Sequence, residues 1–456
     1  MDTDQPRSRE IMTDLYELTM AASYFEQNMF APATFSLMVR EYPSKRSYLV
    51  CAGLDYLLDY LESFHFRPDD LEYLEQTSIF PVKFLQFLET VRFTGEVRAV
   101  PEGRIAFRDE PLVEITAPVM QAQLVETFAI NSINLSTLVA TKASRCYYAA
   151  GDRRLVDFSL RRTHGMDAGL IVARSSFIGG FIGSSNVQAG KIYGLPIYGT
   201  MAHSYVESFD REIDSFRAFA KSFPDNTILL IDTYDTLAGA RKAVTVAREM
   251  RQAGHTLRAV RLDSGDMVQL SQQVREIFDE SGFPEVKIFA SGGFDEFKIQ
   301  QILSAGAIVD AFGVGTKMGV SADAPYLDMA YKMVMYDTRP VMKLSSGKVS
   351  LAGPKQVFRQ RDEQGFLKGD LIGLRDEKVA DSESLLETVM QDGKRLLPPA
   401  PLPKIQERFR EEFNLLPDTY KNLRGNPNYP VQITPHLQEL QDQVRRQIGE
   451  KELSPG

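Results

Sequence analysis

The chain is poor in the residues that announce metal and redox sites. Of 456 residues only two are cysteine, Cys51 and Cys146, and five are histidine. No C-x-x-C pair occurs, which argues against a disulfide framework or a zinc knuckle and for a reducing compartment. No apolar run approaches the roughly 18 residues of a membrane span. The opening residues Met1-Asp2-Thr3-Asp4-Gln5 are polar and lack a signal core. A soluble cytoplasmic protein is expected. A basic excess is also missing: 52 Lys and Arg stand against 61 Asp and Glu, a net charge of −9. That argues against a general nucleic-acid binder but leaves room for a local pocket for a small anion.

What is present is ordinary globular material, 43% hydrophobic and 25% charged. The length suggests about two or three domains. Apolar spacing predicts helices over 11–27 and 52–63 and strands over 34–40, 95–100 and 111–117, with Pro101-Glu102-Gly103 as turn punctuation. Residues 1–118 therefore read as an N-terminal α+β domain. A long apolar helical stretch over 118–150 leads into 119–335, where short apolar strands alternate with helices. Strands are expected over 155–159, 196–199, 227–231, 257–261, 286–290 and 308–312, and a long helix over about 203–222. Continuous apolar strands separated by helices imply a parallel sheet. The spacing is even: His203 to Asp232 is 29 residues, Asp232 to Asp263 is 31, Asp263 to Gly292 is 29, and Gly313 follows 21 later. This predicts an α/β barrel-like domain, closed or nearly so, although a doubly wound sheet gives the same local pattern. Residues 336–456 revert to β-rich segments, with strands over 340–344 and 347–351. They are expected to pack back on the N-terminal domain. Then come a proline-rich linker over 397–403, a helix over about 404–414, a strand over 429–433 and a final amphipathic helix.

In a parallel barrel the working residues follow the strands. Those positions hold Arg161, Arg162 and His164; His203; Asp232, Thr233 and Asp235; Arg261, Asp263, Ser264, Gly265 and Asp266; Ser291, Gly292, Gly293 and Asp295; and Gly313, Gly315, Thr316 and Lys317. One polar tip is expected in any barrel. Six in succession point to a polyanion site with carboxylates able to hold a metal. His203 sits at an expected strand-to-helix turn, where a helix dipole favours a neutral imidazole and an anion above it. A satisfied structural histidine fits the same position. Asp232 is placed to orient that imidazole. Arg261 with Asp263 is either a structural ion pair or an Arg for phosphate beside an Asp for ribose hydroxyls or Mg²⁺. The turns at Ser291-Gly292-Gly293 and Gly313-Val314-Gly315-Thr316 can offer backbone N–H groups to a phosphate.

Several runs, in this order, resemble the nicotinate phosphoribosyltransferase family across nearly the whole chain. They include Thr13-Asp14-Leu15-Tyr16-Glu17-Leu18-Thr19-Met20, Asp157-Phe158-Ser159-Leu160-Arg161-Arg162-Thr163-His164-Gly165, Gly183-Ser184-Ser185-Asn186-Val187, Gly199-Thr200-Met201-Ala202-His203-Ser204, Arg261-Leu262-Asp263-Ser264-Gly265-Asp266 and Phe312-Gly313-Val314-Gly315-Thr316. The resemblance implies a type II phosphoribosyltransferase fold and a reaction of nicotinate with phosphoribosyl pyrophosphate. It also implies ATP hydrolysis coupled through a phosphorylated His203, with Asp232 as its carboxylate partner and Mg²⁺ as a cofactor. Phe158 would stack on the pyridine ring, and Tyr16 would cover its other face from the second subunit of a homodimer. Arg161 and Arg261 would hold anionic groups, as would Arg40 from the neighbouring subunit. Asp263, with Ser264 beside it, would contact ribose. Gly292, Gly293, Gly313, Gly315 and Thr316 would cradle the 5′-phosphate. No metal ligands are assigned.

One departure stands out, since the family usually reads Asp-Phe-Gly where this chain has Ser159. Ser185 bears on specificity. Enzymes of the nicotinamide type carry aspartate there, which suits an amide and repels a carboxylate, so serine favours nicotinate. A nicotinamide enzyme is the nearest rival. A quinolinate enzyme would lack the histidine, and a Schiff-base isomerase or aldolase would need a better-placed lysine than Lys317. A non-catalytic metabolite-binding protein would not need the whole polar set.

Overall fold

The computed structural model describes residues 8–344 and 350–453. They form two compact units. One runs to Leu138 and resumes at Tyr326; the other is Val139–Pro325. The division falls after the expected 118 and before the expected 335. Two features of the chain account for this. The helix Glu126–Ala150 continues unbroken through the first boundary, and Met329–Tyr336 pairs antiparallel with Pro32–Val39.

The first unit is built on a seven-stranded sheet. Pro32–Val39 lies between Met329–Tyr336 and Pro111–Pro118, and Glu387–Gln391 extends the far side beyond Glu96–Ala99. Leu18, Phe35, Leu37, Leu57, Phe84, Ile115, Tyr331 and Met390 meet in its core. Phe35 and Tyr331 stack there at 4.6 Å. Lys355–Arg361 and Leu367–Leu374 form the centre of a second, four-stranded sheet. The expected strand over 340–344 shrinks to Arg339–Pro340. Of the expected 347–351 strand, residues 347–349 lie outside the described residues, and Ser350 and Leu351 are not in a strand.

The second unit carries a six-stranded parallel sheet. Its order is Gly183–Ser184, Arg154–Asp157, Ala311–Val314, Lys287–Ala290, Ala259–Leu262, Ile228–Leu230. The register aligns the strand ends: Asp157 pairs with Ser184 and Val314, and Ala290 with Leu262 and Phe312. Everything just after these strands therefore emerges along one edge of the sheet. The barrel is not closed by hydrogen bonds. Residues 196–199 do not form the expected strand, and Ile197 makes a single bridge to Ser184. Among the described residues no ladder joins it to Ile228–Leu230. Pro196 has no N–H to give a ladder. Gly183–Ser184, too short and small to read as a strand in the sequence, takes the edge place.

Two expected helices are broken. The stretch over 118–150 divides at Val125 into Val119–Leu124 and Glu126–Ala150. The stretch over 203–222 divides into His203–Glu207 and Glu212–Ser222. No described helix is long and apolar enough to cross a membrane.

In the first unit Glu17 is fully buried. Its carboxylate accepts hydrogen bonds from the Thr127 amide at 3.0 Å and from the Thr127 and Thr13 hydroxyls. Burial outweighs these bonds and pushes the carboxyl up to about 7 from 4.5. A carboxyl raised in the fold contributes its full stability below the unfolded value and loses it as pH rises. Glu17→Gln should therefore gain stability relative to the parent as pH rises from 4.5 to about 7 and hold a constant advantage above. Urea midpoints measured across that range check it.

Candidate active site

Arg261 is the hub of the strand-tip edge. It is the third residue of Ala259–Leu262, half-buried, with all three guanidinium nitrogens engaged. Nε donates to Ser291 Oγ at 2.7 Å, one terminal nitrogen to Thr200 Oγ1 at 2.9 Å and Met201 O at 3.3 Å, and the other to Asp263 Oδ1 at 2.7 Å. The charge also lies 5.6 Å from the centre of the Phe158 ring. Ser291 donates in turn to Asp263 Oδ1. Burial pushes the Asp263 carboxyl up, but the bonds from Ser291 and Arg261, with the Arg261 charge, outweigh it and hold it below the usual carboxylate range.

Phe158 is set by backbone and by absence of side chains. Its amide donates to Val314 O at 2.9 Å. A Cβ on Gly313 would lie 2.6 Å from the Phe158 ring, so only glycine lets the ring approach that strand so closely. The ring tilts against Phe289 at 5.6 Å. Asp157, fully buried, ties neighbouring tips together. It accepts from the Ser159 amide at 2.8 Å, the Ser159 hydroxyl at 2.5 Å and the Ser184 hydroxyl at 2.6 Å. Its own carbonyl accepts from the Ser185 amide at 2.8 Å. Phe158 and Ser185 are thus held on adjacent tips by one residue. Ser159, the departure from the usual glycine, adds a bond to this network.

The two glycine turns lie on neighbouring strands. Gly292 has a φ of +104°, and a Cβ there would lie 2.0 Å from the Asp263 carbonyl oxygen. The turn can pass Asp263 only as glycine. Among the described hydrogen bonds, the amides of Gly292, Gly293, Phe294, Gly315, Thr316 and Lys317 have no acceptor in the protein. Unsatisfied N–H groups on two adjacent turns make a cradle for an anion. Lys298 Nζ donates to Gly292 O at 2.9 Å, and Lys317 Nζ pairs with Asp295 at 3.0 Å.

The expected His203–Asp232 contact is not made. His203 Nδ1 lies 3.1 Å from Thr233 Oγ1. Asp232 Oδ2 accepts instead from the Asp263 amide at 2.9 Å and from Ser264 Oγ at 2.7 Å. Asp232 Oδ1 is buried with no hydrogen-bond partner. The strand-to-helix turn at His203 is also weaker than expected, because the helix there has five residues and a dipole to match. Arg161 falls in the short helix Leu160–Arg162, exposed and, among the described residues, without an ion-pair partner. Tyr16 and Arg40 belong to the first unit. Tyr16 is partly exposed, with its hydroxyl pushed well up by burial and by Glu126 and Glu17. Arg40 is paired with Asp328 at 2.5 Å. Thr200 and Lys298 were not among the sequence candidates. Thr200 lies inside the run ending at His203, whereas nothing in the sequence separates Lys298 from an ordinary helix lysine.

A parallel sheet with an anion cradle, a charged hub and an aromatic platform along one edge defines an α/β enzyme domain for a phosphorylated substrate. The chain belongs to the nicotinate phosphoribosyltransferase family. Residues 11–134 match the family's N-terminal domain, 153–346 its main domain and 378–441 its C-terminal domain. The chain is 44% identical to a nicotinate phosphoribosyltransferase of Mycobacterium tuberculosis, over 94% of this chain and 92% of that one. It is 34% identical to the Bacillus subtilis enzyme of the same name, over 94% and 93%. The crystal structure of human nicotinic acid phosphoribosyltransferase superposes with a TM-score of 0.86 at 28% identity, covering 95% of this chain and 99% of that one.

Ser291→Ala should raise the titration midpoint of Asp263 toward the ordinary 3.8, followed by carboxyl-carbon NMR. It should also cost about 1–2 kcal/mol of stability. A depressed carboxyl contributes stability above its unfolded value and loses it as pH falls. The deficit should accordingly be full at neutral pH and shrink in acid.

Proposed function

We propose that the chain joins nicotinate to phosphoribosyl pyrophosphate, giving nicotinate mononucleotide and pyrophosphate, with ATP hydrolysed to ADP and phosphate through transient phosphorylation of His203. The observation that carries this reading is the Arg261 hub between the Phe158 ring and Asp263, beside two turns of unsatisfied amides. The pyridine nitrogen attacks the anomeric carbon with its own lone pair while the bond to pyrophosphate breaks, so no strong base is needed. The demands are orientation and charge. Phe158 offers a ring face, Asp263 accepts from ribose hydroxyls, and the turns at 292–294 and 315–317 hold the 5′-phosphate. Ser185 can donate to the nicotinate carboxylate, and Arg161 is exposed and available to an anionic group.

With Nδ1 held by Thr233, Nε2 is the ring nitrogen left to take the phosphoryl group. Asp232, rather than orienting the imidazole, holds the Asp263–Ser264 loop. Its unpartnered Oδ1 suits a cation, but no cluster of three or more ligating side chains exists among the described residues. Asp232 and Asp263 are the carboxylates that would hold Mg²⁺ here. It would supply charge neutralisation for the departing pyrophosphate. Tyr16 and Arg40 act, on this reading, in the site of a neighbouring copy in a homodimer, and Arg40 must exchange Asp328 for a substrate anion. The cytoplasm, where ATP and phosphoribosyl pyrophosphate are made, is the compartment this chemistry needs.

Purified protein given nicotinate, phosphoribosyl pyrophosphate, Mg²⁺ and ATP should form nicotinate mononucleotide with ADP release. His203→Ala should lose the ATP dependence and retain slow uncoupled turnover. Equal turnover of nicotinamide would overturn the role of Ser185, and no product from either base would overturn the activity.

A further inference from the structure

The second unit buries charges that the chemistry above does not use. Lys142 and Arg145, on the Glu126–Ala150 helix, are each 1% exposed. Both reach Glu296, which is wholly buried. Lys142 Nζ lies 2.5 Å from Glu296 Oε2, and Arg145 Nε donates to Oε1 at 2.9 Å. Lys142 Nζ also donates to Asp323 Oδ1 at 2.6 Å. The Phe297 ring lies 5.7 Å from both cations. Desolvating such ions is costly, and apolar residues of the same size often serve stability as well. What an ion cluster adds is a fixed geometry.

The carboxylates stand at telling places. Glu296 is the first residue of the helix Glu296–Ser304, directly after the Gly292–Gly293 turn. Asp323 follows the helix Thr316–Gly319, which opens at the Gly315 turn. One ammonium therefore clamps the segments downstream of both turns. The Lys317–Asp295 pair joins the same two segments, but its ammonium is 46% exposed where its carboxylate is 12% exposed, and solvent weakens such a tie. The separation of the two amide rows must match a single phosphate. The ladder between the two strands ends at Ala290 and Phe312, before either turn, so the spacing beyond it depends on side-chain contacts.

We propose that Lys142 is a positioning residue that fixes the two glycine turns at the spacing a phosphate requires. The inference rests on the assignment of those turns to the 5′-phosphate. Because that phosphate is held alike before and during the reaction, loss of the clamp raises KM for phosphoribosyl pyrophosphate and leaves kcat near its parent value.

The test is steady-state kinetics on the full chain, with thermal midpoints measured alongside. Lys142→Met should raise KM for phosphoribosyl pyrophosphate by roughly tenfold or more, with KM for nicotinate little changed. Lys142→Arg, which keeps the charge, should recover most of the loss. The double variant Lys142→Met/Asp323→Asn is charge-balanced and leaves the Glu296–Arg145 pair intact, so it carries the test if the single variant does not fold. A folded double variant with the parent KM for phosphoribosyl pyrophosphate overturns the proposal, as does an equal rise in both KM values. Thr316→Asp, which sets a carboxylate against the cradle, separates the two claims. If it leaves KM unchanged, the phosphate assignment itself fails. If it raises KM while the Lys142 variants do not, the clamp alone is wrong.

Discussion

The Arg261 guanidinium touches a hydroxyl on either side, a backbone carbonyl and a carboxylate, all from one planar fork, with an aromatic ring nearby. These partners come from separate parts of the second unit: Thr200 and Met201 before the His203 helix, Asp263 after its own strand, and Ser291 after the next. A lysine could satisfy one or two of them, but the fork geometry belongs to arginine. The carboxylate it holds is kept ionised by the same contacts, and the Asp263 carbonyl then sets how closely the Gly292 turn can approach. Asp263, the first glycine turn and the run leading to His203 are all tied to this one residue.

Around that hub the fold uses two opposite devices to gain precision. At Gly292 and Gly313 it removes side chains so that backbone and ring can approach within distances no Cβ would permit. Under the turns it does the reverse and buries whole ammonium, guanidinium and carboxylate groups. Each device costs free energy, one through chain entropy and the other through desolvation. Both also occur in the first unit, at Arg359–Asp370 and at Gly393, but along the sheet edge they meet around one site.

The alternation of short apolar strands with helices made the parallel sheet legible, because a strand covered on both faces must be apolar throughout. The strand-tip rule then found Arg261, Asp263, Ser291 and the glycine turns from position alone. Closure of the barrel was not legible. The 196–199 run is apolar enough for a strand, but whether its backbone pairs depends on a neighbour far along the chain. The His203–Asp232 contact failed for a related reason: even spacing fixes which tip a residue occupies, and not which way its side chain turns. Asp232 was drawn to the Asp263 amide and Ser264, leaving the imidazole to Thr233. Nor could spacing reveal the Lys142–Glu296 pair, whose members are separated by most of the unit.

Ser159 and Gly319 share one small volume. A Cβ built on Gly319 would lie 2.4 Å from the Cβ of Ser159, so the space admits a side chain from one position and not from both. The hydroxyl that strengthens the Asp157 network is present at the expense of any variation at 319. The two positions are therefore coupled: while serine stands at 159, position 319 has no room for a side chain, and with the Ser159 side chain removed the next atom a Cβ at 319 would meet is Thr163 Cγ2 at 3.5 Å. What position 319 tolerates is thus decided by a single methylene 160 residues earlier in the chain.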